Sequence, residues 1–300
     1  MRVSHISLFA KLCLLLATLI WGSTFFIMEG TIQNIGIFSL LAIRFLIATL
    51  ILFIILIKRI HLINRSYLIR GFLMGLFVIA AYIFQTYGLA YEGTTPGKNA
   101  FLTATYCVIV PFLAWALKGP RPDKYNICAA LMCIFGITLI SVNGSDFTSI
   151  CAGDILTLIG GIFYSVHMVC VSFFSKGRDI LILTMLQFFF AGLIALLGAL
   201  FLETLPPYIP PITFAAILYL TIMATCLCYI LQNVGQKFTT PSTSALILSL
   251  EAVFGVLFSV IFTSEVITPR LLLGFVIVFL SVIVSEVKPK VRQKKIKSLK

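Results

Sequence analysis

Apolar runs separated by short polar or basic stretches follow one another along the whole chain. A helix needs about 20 apolar residues to cross roughly 30 Å of hydrocarbon. The pattern predicts ten such helices, over residues 12–29, 36–57, 67–90, 98–117, 125–142, 153–174, 180–203, 211–236, 242–264 and 269–287. Runs such as LLAIRFLIATLILFIILI lack the alternation of transmembrane barrel strands, the other way to satisfy backbone groups in lipid. The expected fold class is therefore an all-α membrane protein. The first run follows Lys11 with no small-residue cleavage site behind it and reads as an uncleaved first span.

Two of these hairpins are versions of each other. AYIFQTYGLAYEGTTPGKNAFL, from Ala81 to Leu102, carries Tyr82, Gln85, Gly88, Thr94, Thr95, Pro96 and Ala100. CYILQNVGQKFTTPSTSALI, from Cys228 to Ile247, carries Tyr229, Gln232, Gly235, Thr239, Thr240, Pro241 and Ala245 in the same order, with one two-residue gap. Weaker echoes pair IWGSTFF at Ile20 with IFYSVHM at Ile162, and LLAIRFLIA at Leu40 with LTMLQFFFA at Leu183. A five-helix unit is odd, so a second copy starts on the other side of the membrane, which makes the two repeats inverted. The expected division is a first repeat over 1–150, a second over 151–287 and a basic cytoplasmic tail over 288–300. Each half alone leaves its polar face unmatched, so the two read as one functional unit. Inverted repeats around a midplane site are the build of secondary transporters.

Composition agrees with the spans: 60% of the 300 residues are hydrophobic and 11% are charged. The net charge of +12 raises the question of nucleic acid, and its distribution answers it. With the N-terminus inside, nineteen of the 22 Lys and Arg fall on the inner side, seven of them in the tail; Lys98 and Arg270 fall outside, and Arg44 lies within the second span. This is the positive-inside pattern, with both termini cytoplasmic, and it leaves no excess that calls for nucleic acid. The tail can also hold anionic membrane lipid. Seven of the eight cysteines fall in or beside apolar spans without CxxC spacing, so free buried thiols are expected, with Cys151 alone in an outer loop.

Charged or strongly polar side chains inside spans should face a partner, the bundle interior or a water-filled cavity. Arg44 is the basic residue deep in a span, and Glu251 is the acid well inside one, at the repeat position of Tyr106. A carboxyl that exchanges a proton as water enters and leaves can couple transport to protons; the plainer reading is a hydrogen bond holding the bundle. For Arg44 the alternatives are helix pairing and contact with an anionic solute group. Tyr82 and Gln85 share a helix face, and Tyr229 and Gln232 repeat the pair, as cavity lining or as interhelical hydrogen bonds. Asn99, Thr103 and Tyr106 line one further face, Tyr164 and His167 another, and Trp21 is an aromatic candidate for a solute pocket. Gly71 and Gly75 form GxxxG in the third span, read as a contact within the protomer.

WGSTFF at Trp21, LAIRFL around Arg44, the two TTP hairpins and SLEAVFGVLFSVIFTSE from Ser249 to Glu265 together resemble the drug/metabolite transporter superfamily, in particular its EamA-like members with ten helices in two repeats. Two departures stand out: Lys118, Gly119 and Pro120 where members often carry a glutamate, and Ala252 where many have proline. The resemblance implies a secondary transporter in the cell membrane that moves a small metabolite, amino acid or drug-like solute, outward, by alternating access. No Walker A motif is present, so the energy would come from protons or from the solute gradient, with no cofactor or metal. An intramembrane enzyme needs a converging nucleophile, base or acid pair, and neither GxSxG nor GxGD occurs. A channel or uniporter is the further alternative, and a monomer or homodimer remains open.

Overall fold

A computed structural model describes residues 2–117, 121–141, 151–204, 206–263 and 266–286. Lys118, Gly119 and Pro120, the repeat boundary at 150, Glu265 and the basic tail from 288 lie outside the described residues. All regular structure among the described residues is helical. The helices are α1 (Arg2–Ile32), α2 (Ile37–Leu56), α3 (Arg65–Ala90), α4 (Pro96–Thr103), α5 (Tyr106–Ala116), α6 (Lys124–Ser141), α7 (Ala152–Phe174), α8 (Ile180–Leu202), α9 (Pro211–Tyr219), α10 (Cys228–Lys237), α11 (Pro241–Leu248), α12 (Leu250–Phe262) and α13 (Pro269–Glu286). Among the described residues seven helical stretches are long and apolar enough to cross a membrane, and three shorter apolar helices accompany them. The protein is a multi-pass membrane protein.

Local chemistry sets the helix starts. The Asn64 side chain accepts from the N–H groups of Ser66 and Tyr67 to begin α3, Thr95 caps α4 ahead of Pro96, and Asp179 accepts from Leu181 to begin α8. Gly93 and Gly177, at φ +89° and +68°, make the two turns that L side chains resist.

Three spans depart from the sequence expectation of unbroken helices. The fourth breaks between α4 and α5, where Cys107 and Val108 bond three residues back to Ala104 and Thr105, and the Thr105 hydroxyl takes the Leu102 carbonyl. The ninth breaks at the same repeat position, between α11 and α12, where Ala252 bonds back to Ser249. The eighth widens into a π-helix over Leu220–Leu227 between α9 and α10, with Thr225 Oγ1 donating to the Leu220 carbonyl five residues back.

The loops gather at two ends. At one, Arg59 pairs with Asp179 at 3.1 Å and Lys237 donates to the Arg178 carbonyl; Arg65, Arg70 and Lys176 belong to the same end, called here the basic end. At the opposite end Thr94 meets Cys151, and Lys98 pairs with Asp154 at 2.8 Å. The TTP hairpin of the first half sits at this opposite end and that of the second half at the basic end, which is the inverted arrangement. Lys98, expected on the outer side at the start of the fourth span, is buried there against α7. Cys128, expected buried, lies exposed on α6, and all eight cysteines are free.

Glycines let helices of different halves approach to backbone contact. A Cβ on Gly71 or Gly75 would strike Leu186 or Gln187 and Phe190 on α8, and one on Gly88 would strike Gly153 and Thr157 on α7. The GxxxG contact is thus made within the protomer. On the other flank Gly22 meets Phe254 on α12, Gly255 meets Ala100 on α4, and Gly235 meets Ala10 and Leu14 on α1.

At the opposite end the Glu203 carboxylate accepts from the Phe38 and Ser39 N–H groups and from the Ser39 hydroxyl, each at 2.8 Å, capping the start of α2 from the end of α8. A carboxylate on a helix N-terminus is favoured by the orphan N–H groups and the helix dipole. Glu203→Ala is expected to lower stability in detergent by about 2 kcal/mol, read by chemical denaturation, with Glu203→Gln losing less.

Candidate functional site

The breaks in the fourth and ninth spans turn Tyr106, the first residue of α5, and Glu251, on the first turn of α12, toward one interior space. That space is a cavity nearer the opposite end, offering about 50 Å³ to the centres of water molecules. At roughly 10–15 Å³ per water this holds a few waters or part of one small solute. Discontinuous helices frame substrate sites in secondary transporters because irregular backbone is tolerated in a membrane only where it is buried in protein or lines a cavity.

The walls are aromatic. Trp21 packs edge-on to Tyr229 with ring centroids 5.1 Å apart, and Tyr82 lies 5.6 Å from Tyr164 and 6.3 Å from Tyr229. Amides and hydroxyls tie these walls together: the Tyr164 hydroxyl donates to Gln85 Oε1 at 2.9 Å, Gln85 Nε2 donates to Thr103, and Asn99 Nδ2 donates to the Gln85 carbonyl and to Thr157. The floor is charged. Arg44 is 1% exposed and holds its guanidinium over the Tyr82 ring, 4.9 Å from the centroid. Its nitrogens donate to Thr225 Oγ1 at 2.9 Å, Met28 Sδ at 3.3 Å and the Tyr82 hydroxyl at 3.4 Å. Among the described residues no carboxylate oxygen lies within 4.0 Å of it. Glu251, 6% exposed, lines the same space and interacts with the Tyr106 hydroxyl.

The π-helix explains how Arg44 and Trp21 are held. Widening the helix presents Thr225 Oγ1 to Arg44 and leaves the Ala224 carbonyl to accept from Trp21 Nε1 at 2.7 Å. Nothing in LTIMATCL marks such a widening, so Thr225 and Ala224 carry no sequence signal. Met28, also missed, is an apolar residue among apolar residues.

Eleven of the residues singled out from sequence therefore share one cavity: Trp21, Arg44, Tyr82, Gln85, Asn99, Thr103, Tyr106, Tyr164, Tyr229, Gln232 and Glu251. His167 does not. It lies one turn past Tyr164 with Nε2 on Gln187 Oε1 at 2.9 Å, in the half of the bundle nearer the basic end.

The EamA-like transporter family model matches residues 8–142 and again 152–286. The chain belongs to the EamA-like transporter family. It is a membrane transporter for a small-molecule solute. An uncharacterized transporter of Archaeoglobus fulgidus is 32% identical over 279 residues, which is 92% of this chain and 85% of that protein. A solved crystal structure superposes on this transporter with a TM-score of 0.68 at 16% identity, covering 92% of this chain and 96% of the other, a likeness of fold.

Proposed function

We propose that this transporter moves a small zwitterionic solute of the amino-acid type outward across the cell membrane, by alternating access around the aromatic cavity. The observation that carries the reading is that Arg44 and Glu251 face the same cavity while unpaired with each other. A buried cation is costly without an anionic partner. A solute carboxylate at Arg44 supplies one, its ammonium group lies toward Glu251, and its side chain meets Trp21 and the tyrosines. The nineteen basic residues of the positive-inside count support a cytoplasmic location for both termini and the basic end. The cavity lies within one chain, so a monomer is a sufficient unit.

Protons are the proposed coupling ion, carried by Glu251, because solute and proton then meet at the same carboxyl. In proteoliposomes with an imposed pH gradient, the native protein is expected to accumulate an amino acid from a screened panel against its gradient. Glu251→Gln is expected to exchange labelled for unlabelled solute yet fail to accumulate it. Uphill accumulation by Glu251→Gln would remove the carboxyl from the coupling step. The panel is screened first by thermal shift, since a solute that binds only the folded protein stabilises it by mass action. Flux that rises linearly with solute and ignores competitors would replace the carrier with a channel.

A further inference from the structure

Between the cavity and the basic end lies a second group of polar side chains, all buried. His167 on α7, Gln187 on α8, and Asn233 and Gln236 on α10 are each 0–1% exposed. His167 bonds Gln187, and Asn233 Nδ2 donates to Thr184 at 2.8 Å. Yet His167 Nδ1, Gln187 Nε2, Asn233 Oδ1 and both side-chain polar atoms of Gln236 have no partner among the described residues. A buried polar atom without a partner costs about 1–3 kcal/mol. Five of them in one region is a standing cost that packing alone does not require. An apolar cluster of Met74, Cys170, Val171, Ile180 and Leu183, with Val234 against it, adjoins them on α3, α7, α8 and α10.

The repeat supplies the reason. Under the three sequence echoes, His167 takes the position of Phe25, Gln187 that of Arg44, Asn233 that of Thr86 and Gln236 that of Leu89. All four of those mates line the open cavity. Two inverted halves that exchange conformations exchange their walls as well, so the mates of residues now lining the cavity line the path in the other state. We propose that His167, Gln187, Asn233 and Gln236 form the closed half of the solute path, a second polar station hydrated when the basic end opens. Amides and an imidazole donate and accept, so this station takes either end of a zwitterion, whereas its mate holds a fixed cation. The inference rests on the alternating-access reading above.

Its test needs no solute. Asn233→Cys and, separately, Thr86→Cys are placed in the full chain in vesicles, and a charged membrane-impermeant methanethiosulfonate is applied to either face. Adducts are located by mass spectrometry, with Lys237→Cys as the exposed reference for the basic end. Asn233→Cys is expected to react from the Lys237 face and Thr86→Cys from the other. Adding Gln236→Leu, which removes two orphaned polar atoms from the closed arrangement and breaks no hydrogen bond among the described residues, is expected to slow the Asn233→Cys reaction about tenfold, the equivalent of about 1.4 kcal/mol, without slowing Thr86→Cys. Where Asn233→Cys fails to fold, Gln236→Cys alone replaces it. No adduct at either α10 position, or reaction of both repeat mates from the same face, would overturn the proposal. An adduct at Asn233→Cys with no amino acid binding in the thermal-shift panel would leave the path standing and sink the substrate class alone.

Discussion

Arg44→Gln is expected to weaken binding of a carboxylate-bearing solute by about 30- to 1,000-fold while leaving the protein as stable as the native chain or more so. Truncating one partner of a buried charge pair costs about 2–4 kcal/mol, and each 1.4 kcal/mol is tenfold. The stability half of the expectation has a separate cause. Arg44 holds a charge 1% exposed, with a hydroxyl, a thioether and a phenol as its hydrogen-bonding partners, so the empty protein bears a desolvation cost that no carboxylate offsets. Glutamine keeps hydrogen-bonding capacity toward Thr225 and removes the charge. Thermal unfolding of the empty variant and its ligand-induced shift, measured side by side, check both parts. A variant that unfolds several degrees lower and still binds would make Arg44 a strut of the bundle and end the solute contact.

Lys98→Met is expected to destabilise the protein by about 3–5 kcal/mol, the largest stability loss proposed for this chain. The Lys98 ammonium and the Asp154 carboxylate are 2.8 Å apart, with side chains 8% and 0% exposed, and removing the cation strands a buried anion at the start of α7. The double variant Lys98→Met with Asp154→Leu is expected to recover most of the loss, since a buried pair replaced whole by apolar groups is often neutral. Denaturant unfolding of the two single variants and the double variant in one detergent checks the cycle. Equal losses in the single and double variants would mean that the pair is held by something other than its own charges.

The fold was legible because lipid leaves the sequence little freedom: a span must be apolar for about 20 residues, and basic loops mark one side. The repeat was legible because Tyr82 and Gln85 recur letter for letter as Tyr229 and Gln232. Much of the cavity followed, since polar side chains in apolar runs have few places to go. The remainder depended on contacts between distant elements. Lys98 reads as an outer-side cation until Asp154, 56 residues later, is folded against it. His167 reads as the neighbour of Tyr164 until Gln187 draws it toward the basic end. The helix breaks at Thr105 and Ser249 carry neither glycine nor proline at the break itself, and the π-helix has no compositional mark, because backbone carbonyls accommodate both.

The glycine contacts separate heredity from mechanics. Gly71, Gly75 and Gly88 clip α3 of the first half onto α7 and α8 of the second, while Gly22, Gly255 and Gly235 bring α1 and α4 of the first half onto α12 and α10 of the second. Interlocked backbones resist sliding, so under the alternating-access proposal each clipped group travels as a piece. The seam between the two pieces would then run through the cavity and on between His167 and Gln187 on one side and Asn233 and Gln236 on the other. What was copied when the sequence doubled is a run of five helices; what the proposal hinges is a pair of mosaics, each assembled from both copies.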